Sequence, residues 1–179
     1  MCADVRAGGA GQRVSGGEKE SISVVSYVRG DATRPEAAGP KVIVHICNDV
    51  GGWGRGFVLA LSRRFREPEA CYRAAFAGAE PPALGDVQLV SVADDITVAN
   101  LIGQRGLSPS PETGEPPVRY AAIETGLGRV AAFASARSAS VHMPRIGCGL
   151  AGGSWDRIEP ILLRTLDAAG VATYVYDLP

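Results

Sequence analysis

The sequence lacks any apolar run approaching the ~20 residues that a membrane-spanning helix needs, so we expect no membrane association. Residues 1–20 are rich in glycine and charge and lack the apolar core of a secretory signal, which favours a cytoplasmic location. An excess of one charge is also missing, because the net charge is −1 over 179 residues. A near-neutral chain is poorly suited to binding nucleic acid or membrane surfaces through charge alone.

Metal-binding motifs are missing as well. The chain has four cysteines and two histidines, with no CxxC pair and no zinc-type spacing. We therefore predict no bound metal and no other cofactor. Without a secretion signal, we also expect no disulfide framework.

What the sequence does contain is enough apolar material for one ordinary domain, with 46% hydrophobic and 21% charged residues. Residues 1–21 hold few large apolar side chains, so we predict a disordered N-terminal tail there and one domain over residues 22–179. Strand and helix patterns alternate beyond the tail, which is typical of an α/β domain with a mixed sheet. The predicted strands are 22–28, 41–46, 87–92, 96–102, 140–143 and 171–176, and the predicted helices are 56–66, 68–77, 118–136 and 155–168.

Two glycine-rich loops, each following an apolar run and each leading into a helical pattern, carry most of the functional information. The first reads VHICNDVGGWGRGF over residues 44–57, and the second reads MPRIGCGLAGGSW over residues 143–155. Glycine lets a ligand approach the backbone closely, and a loop that leads into a helix N-terminus presents free N–H groups to an anion. Two such loops predict a cleft that grips a diphosphate or a nucleotide. The alternative is that the glycines only form tight turns.

Neither loop matches a common nucleotide-binding motif. No Gly-Lys-Ser/Thr follows the glycines, which excludes a Walker A loop. Gly52, Gly54 and Gly56 are spaced by one residue rather than in the GxGxxG pattern, which disfavours an NAD-dependent oxidoreductase. The residues alone therefore predict a nucleotide or phosphate binder and nothing finer.

Four motifs in this order resemble the macrodomain family, whose α/β/α modules bind ADP-ribose. YVRGDAT at 27–33 resembles the opening strand with its Gly-Asp pair, and VHICND at 44–49 stands where many members have an Asn-Ala-Ala-Asn element. GGWGRGF at 51–57 and PRIGCGLAGGSW at 144–155 resemble the two phosphate loops. The resemblance covers residues 22–178 and implies a three-layer α/β/α macrodomain with a central mixed sheet.

The CNxxGxWGxG pattern looks most like the branch that contains ADP-ribose 1″-phosphate phosphatases and lies near terminal ADP-ribose protein glycohydrolases. The resemblance implies a metal-independent hydrolase of ADP-ribosyl esters that removes mono-ADP-ribose from acidic side chains of proteins. The alternatives are an ADP-ribose 1″-phosphate phosphatase or O-acetyl-ADP-ribose deacetylase, and a reader that binds ADP-ribose without chemistry. The expected partner is ADP-ribose or an ADP-ribosylated protein, and we expect a monomer.

The resemblance places adenine beside the loop that follows the first predicted strand. Asp31 would accept a hydrogen bond from the exocyclic amine, while the N–H of Ala32 meets a ring nitrogen and Gly30 lies beside them. Tyr176 is the candidate for stacking on the base, with Tyr174 as second choice. Alternatively, Asp31 only caps its own turn and Tyr176 is an ordinary core or edge aromatic.

The resemblance places the diphosphate between the glycine-rich loops, where backbone N–H groups donate to it. Trp53 either lines this site or anchors its loop. Cys148 lies beside a helix N-terminus, which lowers a thiol pKa, but we favour a packing role for this small residue. The predicted contacts are Gly51, Gly52, Trp53, Gly54 and Gly56 in the first loop and Ile146, Gly147, Cys148, Gly149, Leu150 and Ala151 in the second.

Five residues are predicted to act at the distal ribose: His45, Asn48, Asp49, Gln104 and Arg105. Asn48 would hydrogen-bond the ribose, His45 stands at the position of a catalytic histidine in the phosphatase branch, and Asp49 activates water or only shapes its loop. Gln104 and Arg105 begin a proline-rich exposed loop over 104–117, of a kind that often acts as a lid, and an arginine there can stabilise a carboxylate or phosphate. The alternatives are a buried, neutral His45 and a solvated Arg105.

The sequence departs from the glycohydrolase pattern at two positions. Those relatives use a lysine that links covalently to the opened ribose and an aspartate in the second loop. Here the lysine region reads GQR at 103–105, and Ala151 stands at the aspartate position. Lys41 is the only lysine after residue 21. We therefore expect no lysine adduct. Hydrolysis would instead use water that is positioned by ribose hydroxyls, a substrate phosphate or Asp49.

Overall fold

The computed structural model describes residues 2–5 and 23–178, in which strands and helices alternate as predicted. The strands are β1 (Cys2–Val5), β2 (Val25–Arg29), β3 (Lys41–Asn48), β4 (Val87–Ala93), β5 (Ile96–Gln104), β6 (Ser140–Pro144) and β7 (Thr173–Asp177). The α-helices are α1 (Phe57–Arg64), α2 (Glu67–Phe76), α3 (Tyr120–Ser135) and α4 (Trp155–Leu162).

All of these strands belong to one mixed sheet in the order β1-β4-β5-β3-β6-β7-β2. The five strands from β5 to β2 run parallel to their neighbours, whereas β4 and β1 are antiparallel additions at one side. The carboxyl ends of the parallel strands therefore share one edge, where open α/β sheets bind their ligands. The residues at these ends are Gln104, Asn48, Pro144, Asp177 and Arg29.

Alternate residues of β3 show that helices cover both faces of the sheet. Val42 and Val44 join the core cluster that includes residues of α3 and α4, whereas Ile43 packs in a separate cluster with Leu61 of α1. Burial on both faces explains why β3 is a continuous apolar run rather than an alternating one. The predicted three-layer α/β/α architecture with a central mixed sheet is confirmed.

The last helix differs from its prediction as one α-helix over 155–168. α4 ends at Leu162, and Leu163–Asp167 continue as a π-helix in which the Ala168 N–H donates to the Leu163 carbonyl over 3.0 Å. The wider turn shifts the side chains relative to an α-helix. Leu162 and Leu166 are both fully buried there, so core packing accounts for the change.

The N-terminal prediction is wrong at Cys2–Val5, which pair with β4 as an antiparallel edge strand. Backbone hydrogen bonds form a strand without a large apolar surface, which composition alone does not reveal. The rest of the predicted tail, together with residues 22 and 179, lies outside the described residues. Cys47 and Cys148 are free, but Cys71 is disulfide-bonded, which the expectation of no disulfides missed. No helix of the described part is long and apolar enough to cross a membrane.

Candidate functional site

Two cavities open at the carboxyl edge of the parallel strands. The loop pocket, of about 620 Å³, lies between the loops that follow β3 and β5. The tyrosine pocket, of about 310 Å³, lies at the ends of β2 and β7. In strand order β6 stands between them, so the second glycine-rich loop, which follows β6, lies between the two cavities.

Both cavities collect predicted residues together with others that the sequence did not single out. The loop pocket is lined by Ile46, Cys47, Asn48, Gly52, Trp53, Gly54, Arg55, Val58, Gln104, Leu107, Ser108, Pro109 and Leu150. The tyrosine pocket is lined by Val28, Arg29, Gly30, Asp31, Arg34, Glu36, Ala37, His142, Tyr174 and Tyr176. Residues predicted to contact the distal ribose and residues predicted to contact adenine thus lie in two separate pockets along one edge of the sheet.

Asn48, the last residue of β3, holds the first glycine-rich loop together. Its Oδ1 accepts hydrogen bonds from the N–H groups of Val50 (3.1 Å) and Gly52 (2.9 Å), and its Nδ2 donates to the Gly52 carbonyl (2.6 Å). The Tyr72 hydroxyl lies 2.7 Å from the Asn48 carbonyl and 2.9 Å from its Oδ1. Most of the amide is therefore engaged inside the protein, which leaves one Nδ2 hydrogen for the predicted ribose contact.

Trp53 anchors its loop, as one predicted alternative had it, and it also lines the loop pocket. Its Nε1 donates to the Ser62 hydroxyl over 2.8 Å, and its carbonyl accepts from Nη2 of Arg73 over 3.0 Å. Its ring meets the His45 ring edge-on at 5.3 Å between centroids and also forms part of the wall of the loop pocket. The residue thus anchors the first loop to α1 and α2 while facing the cavity.

The glycines of the first loop serve different purposes. Gly51 and Gly56 line neither cavity and have φ values of 76° and 75°, in the left-handed region that favours glycine. A methyl group at Gly52 would lie 2.8 Å from a Leu107 methyl, so this glycine lets the β5 loop pack against the first loop. At Gly54 an added methyl would meet nothing within 4 Å, although the residue lines the loop pocket. Gly54 is therefore where a ligand can lie directly against the backbone.

The second loop is closed by its own backbone. The Gly153 N–H donates to the Gly147 carbonyl over 2.8 Å, and a methyl group at Gly153 would lie only 2.6 Å from that oxygen. The Val118 N–H holds the Ala151 carbonyl at 3.0 Å. Leu150, which is 63% exposed, lines the loop pocket, whereas the remaining predicted contacts of this loop line neither cavity: Ile146, Gly147, Cys148, Gly149 and Ala151.

Arg145 fixes the start of the second loop to the end of β7. Its guanidinium makes a bidentate pair with Asp177, at 2.6 and 2.9 Å, and lies over the rings of Tyr27 and Trp155. Planar bidentate pairs of this kind define orientation as well as distance. The pair has no signature in the sequence, because its partners are 32 residues apart.

Asp31 is partly committed to its own turn, as one predicted alternative had it. Its Oδ1 accepts from the N–H (2.9 Å) and the hydroxyl (2.8 Å) of Thr33, while its Oδ2 lies 3.7 Å from Nε of Arg34. Half of the Asp31 side chain is exposed in the tyrosine pocket, so an oxygen remains available for an amino group. Ala32 is only 3% exposed and lines neither cavity, which leaves its predicted contact with a base without geometric support.

The position of His45 argues against its predicted catalytic role. It is 1% exposed, and its Nε2 lies 2.6 Å from Oδ1 of Asn100. Burial lowers its pKa to about 4, so the ring stays neutral at physiological pH. A general acid or base must reach the substrate, and His45 lies beneath Trp53 and Phe57 instead.

Asp49 and Arg105 also lie outside the lining of the loop pocket. The Asp49 carboxylate accepts from the Gly106 N–H over 2.8 Å, which fits its alternative role in shaping the loops. Arg105 is exposed, and its N–H donates to the Pro117 carbonyl over 2.8 Å. Gln104 does line the pocket, where its Nε2 donates to the Gly106 carbonyl over 2.9 Å.

Arg55 is the functional candidate that the sequence analysis missed. Among the described residues that line the loop pocket it alone carries a charge, and it makes no hydrogen bond or ion pair with the described part of the chain. It stands between Gly54 and Gly56, so its place in the glycine-rich loop was the available signal. An unpaired guanidinium at a pocket wall is suited to an anionic group.

The thiols of this region are structural. Burial raises the pKa of Cys47, which lines the loop pocket, far above its usual range. Burial also raises the pKa of Cys148, whose Sγ lies 3.5 Å from the Ile146 carbonyl. Both stay protonated and are poor nucleophiles, which agrees with the packing role favoured for Cys148. No group of three His, Cys, Asp or Glu side chains that could hold a metal occurs in the described part of the chain.

Solved structures with about half of their residues identical to this chain are among its matches. The chain is 52% identical to a macrodomain protein from Streptomyces coelicolor, with a TM-score of 0.75 over 86% of this chain and 98% of that one. It is 50% identical to a protein of unknown function from Bacteroides thetaiotaomicron, with a TM-score of 0.85 over 88% of this chain and 99% of that one. A DarTG protein from Thermosipho africanus, solved in complex with ADP-ribose, shares the fold at 22% identity and a TM-score of 0.63, over 87% of this chain and 41% of that one.

Curated proteins give matches of two kinds. The mouse chromodomain-helicase-DNA-binding protein 1-like is 35% identical over 164 residues, which are 87% of this chain but 18% of that protein. The chain spans less than a fifth of the length of this relative and of its zebrafish counterpart. An ADP-ribose 1″-phosphate phosphatase from Lodderomyces elongisporus is 26% identical over 86% of this chain and 99% of its own length. No protein-family model matches the chain.

Proposed function

The chain belongs to the macrodomain family, and on that premise we propose that it binds ADP-ribose and hydrolyses ADP-ribosyl esters, removing mono-ADP-ribose from acidic side chains of proteins. One observation carries the proposal: two pockets lie along the carboxyl edge of the sheet, with the second glycine-rich loop between them. A long, two-ended nucleotide fits this arrangement better than a compact ligand does.

The adenine end belongs in the tyrosine pocket. Asp31 keeps one carboxylate oxygen available there, which suits an exocyclic amino group. Tyr176 forms part of the same wall and approaches Gly30, where a methyl group would lie 3.6 Å from the ring. The diphosphate then passes the two glycine-rich loops, and the distal ribose enters the loop pocket beside Gly54 and Asn48.

Arg55 takes the role that the sequence analysis gave to Arg105. When water displaces the protein carboxylate from the distal ribose, the leaving group carries a full negative charge, and an arginine at the pocket wall stabilises that charge. Arg55 lines the pocket without a counter-charge, whereas Arg105 points into solvent outside it. The same guanidinium would receive a 1″-phosphate, so it also suits the phosphatase alternative that the Lodderomyces relative suggests.

A lysine adduct has no place in this mechanism. Lys41 lies at the amino end of β3, roughly 20 Å along the strand from the cleft. Its Nζ is 2.5 Å from Asp95 and donates to the carbonyls of Ala37 and Gly39. Ala151, at the family's aspartate position, is buried. Water must therefore be held by the substrate's own hydroxyl and phosphate groups.

One observation favours a reader as the second candidate. No Asp, Glu, His or Lys lines the loop pocket in the described part of the chain, so no general acid or base touches the distal ribose there. A pocket of this kind can bind ADP-ribose without turning it over.

The test is a paired measurement on one protein sample. ADP-ribose is titrated by calorimetry, and release of ADP-ribose from a glutamate-linked mono-ADP-ribosylated protein is then followed. We expect both binding and release. Binding without release assigns the chain as a reader, or as a phosphatase if phosphate is freed from ADP-ribose 1″-phosphate, and absence of binding rejects the whole proposal.

Arg55→Gln separates the catalytic step from binding. We expect kcat to fall about a hundredfold, at the low end of the range for loss of one charge-stabilising group. Arg105→Gln is the matched control, because it removes the same charge from the neighbouring loop, and its kcat should stay within twofold of the wild type. Equal losses in the two variants would contradict the assignment of Arg55.

A further inference from the structure

A row of polar and aromatic side chains lies on the face of β6 and β7 opposite to the one that packs against α3 and α4. Val141 and Met143 of β6 and Val175 of β7 enter the core beneath α3 and α4. Because successive strand residues point to opposite faces, His142 and Tyr176 lie on the other face. The segment 30–37 borders this face and supplies part of the lining of the tyrosine pocket.

His142 connects two hydroxyl groups across this face. Its Nε2 lies 2.8 Å from Oγ of Ser140, and its Nδ1 lies 2.9 Å from the hydroxyl of Tyr176. Its ring stacks on Tyr174, with 4.9 Å between centroids and 9° between planes. The residue borders the tyrosine pocket but is only 1% exposed, so it offers little surface of its own to a ligand.

The protonation state of His142 determines how the row of hydrogen bonds from Ser140 to Tyr176 is built. Burial lowers its pKa to about 4, with a smaller contribution from Lys41, so the ring is neutral and has one N–H donor and one acceptor. Hydroxyl groups on both sides can supply the complementary role, which leaves each ring nitrogen satisfied. Tyr176 is therefore fixed at its hydroxyl end by a buried partner, while its ring remains partly exposed in the tyrosine pocket.

We propose that His142 is a positioning residue for the base: it holds the Tyr176 ring as a preorganised wall of the tyrosine pocket, so that the adenine end of the ligand meets a fixed surface. The proposal rests on the proposed function, since it assumes that adenine occupies this pocket. A wall that is already in place costs less ordering on binding than a free tyrosine does. His142 does not line the loop pocket, so it should affect affinity and leave the chemical step alone.

Two substitutions of His142 separate positioning from simple packing. His142→Phe keeps a flat ring against Tyr174 but removes the partner of the Tyr176 hydroxyl. His142→Asn loses the ring but keeps an amide that can bond to that hydroxyl. Positioning predicts that His142→Phe weakens ADP-ribose binding about tenfold and that His142→Asn recovers part of the loss. Packing alone predicts the reverse order, because asparagine leaves the larger void.

A double-mutant cycle identifies the residue through which His142 acts. If it acts through the Tyr176 hydroxyl, Tyr176→Phe weakens binding and His142→Phe adds little in the Tyr176→Phe background. Calorimetry with ADP-ribose gives the dissociation constants, and the release assay should show a raised KM with kcat unchanged. Ser140 lies at the end of the hydrogen-bonded row opposite Tyr176, and Ser140→Ala should change affinity less than threefold.

The outcomes keep the two proposals apart. Failure of the wild-type protein to bind ADP-ribose rejects the proposed function. Wild-type binding combined with additive losses, or with His142→Phe binding better than His142→Asn, rejects the positioning role and leaves the proposed function standing. A fall in kcat equal to the rise in KM would also reject it.

Discussion

The two glycine-rich loops have similar sequences, but they are supported in opposite ways. The first is held from below by side chains, with the Asn48 amide bonded to Val50 and Gly52, and its backbone is open at Gly54. The second is held by backbone, through the contact between Gly153 and Gly147. Glycine makes room for a ligand in the first loop and room for the chain itself in the second.

Gly153→Ala tests the closed loop and should have the largest effect. The added methyl group would meet the Gly147 carbonyl at 2.6 Å, so the backbone must shift, at a cost of about 3 kcal/mol in the free energy of unfolding. Urea unfolding measures this loss. Gly128→Ala on α3, where a methyl meets nothing within 4 Å, is the control and should be neutral or slightly stabilising. A stable Gly153→Ala variant would refute the picture of a closed loop.

Asn48→Ala tests the support of the open loop. It removes the acceptor of the part-buried N–H groups of Val50 and Gly52, which should cost about 2 kcal/mol of stability. ADP-ribose binding and turnover should fall together, because the whole loop loses its shape. Tyr72→Phe, which removes one contact to Asn48, should show a smaller loss of the same kind. Reduced turnover with intact binding would instead support the direct catalytic role that the sequence analysis predicted.

Gly54→Ala tests whether the open backbone contacts ligand. We expect ADP-ribose affinity to fall about tenfold, or ~1.4 kcal/mol, with an unchanged free energy of unfolding. The residue has ordinary φ and free space, so the protein itself tolerates the methyl group. Gly149→Ala in the second loop is equally free of clashes but lines neither cavity, and its affinity should change less than threefold. Similar losses in both variants would abolish the contrast between the loops.

Acidification should destabilise the protein through His45, which lies beneath the first loop, and this is the smallest of the expected effects. Burial beneath Trp53 lowers the pKa of His45 from 6.5 to about 4. Between these pH values the unfolded chain binds more protons than the folded one, so the free energy of unfolding decreases as the pH is lowered. We expect a loss under about 1 kcal/mol per buried histidine between pH 7 and pH 6, with His142 contributing similarly. His45→Gln should flatten part of the curve in pH-dependent thermal melts. An unchanged curve would show that His45 does not titrate as its burial implies.

The architecture could be predicted because it depends on local patterns. The apolar run of β3 and the alternation of strands and helices indicated an α/β domain with a mixed sheet, the paired loops indicated a cleft, and the resemblance to macrodomains implied the three layers. The N-terminal strand was missed because an edge strand is built from backbone hydrogen bonds, which composition does not encode.

Individual side-chain roles were harder to predict because they depend on which way a strand residue points. His45 and Asn48 stand three residues apart on β3, yet one faces Asn100 in the interior and the other supports the loop. The role of Arg55 was not predicted, because it stands between two glycines and a glycine-rich pattern indicates binding by the backbone rather than by side chains. Among the residues that the structure describes, the Arg55 guanidinium lines the loop pocket without a partner.

The protein contains only two tryptophans, and they report on different loops: Trp53 lies within the first, and Trp155 begins the helix that follows the second. Each indole therefore serves as a separate optical probe. With Trp155 replaced by phenylalanine, emission follows the loop that should meet the ligand, and with Trp53 replaced, it follows the loop that should stay still. Stopped-flow fluorescence on the two variants can thus time the motion of each loop separately, without any attached label.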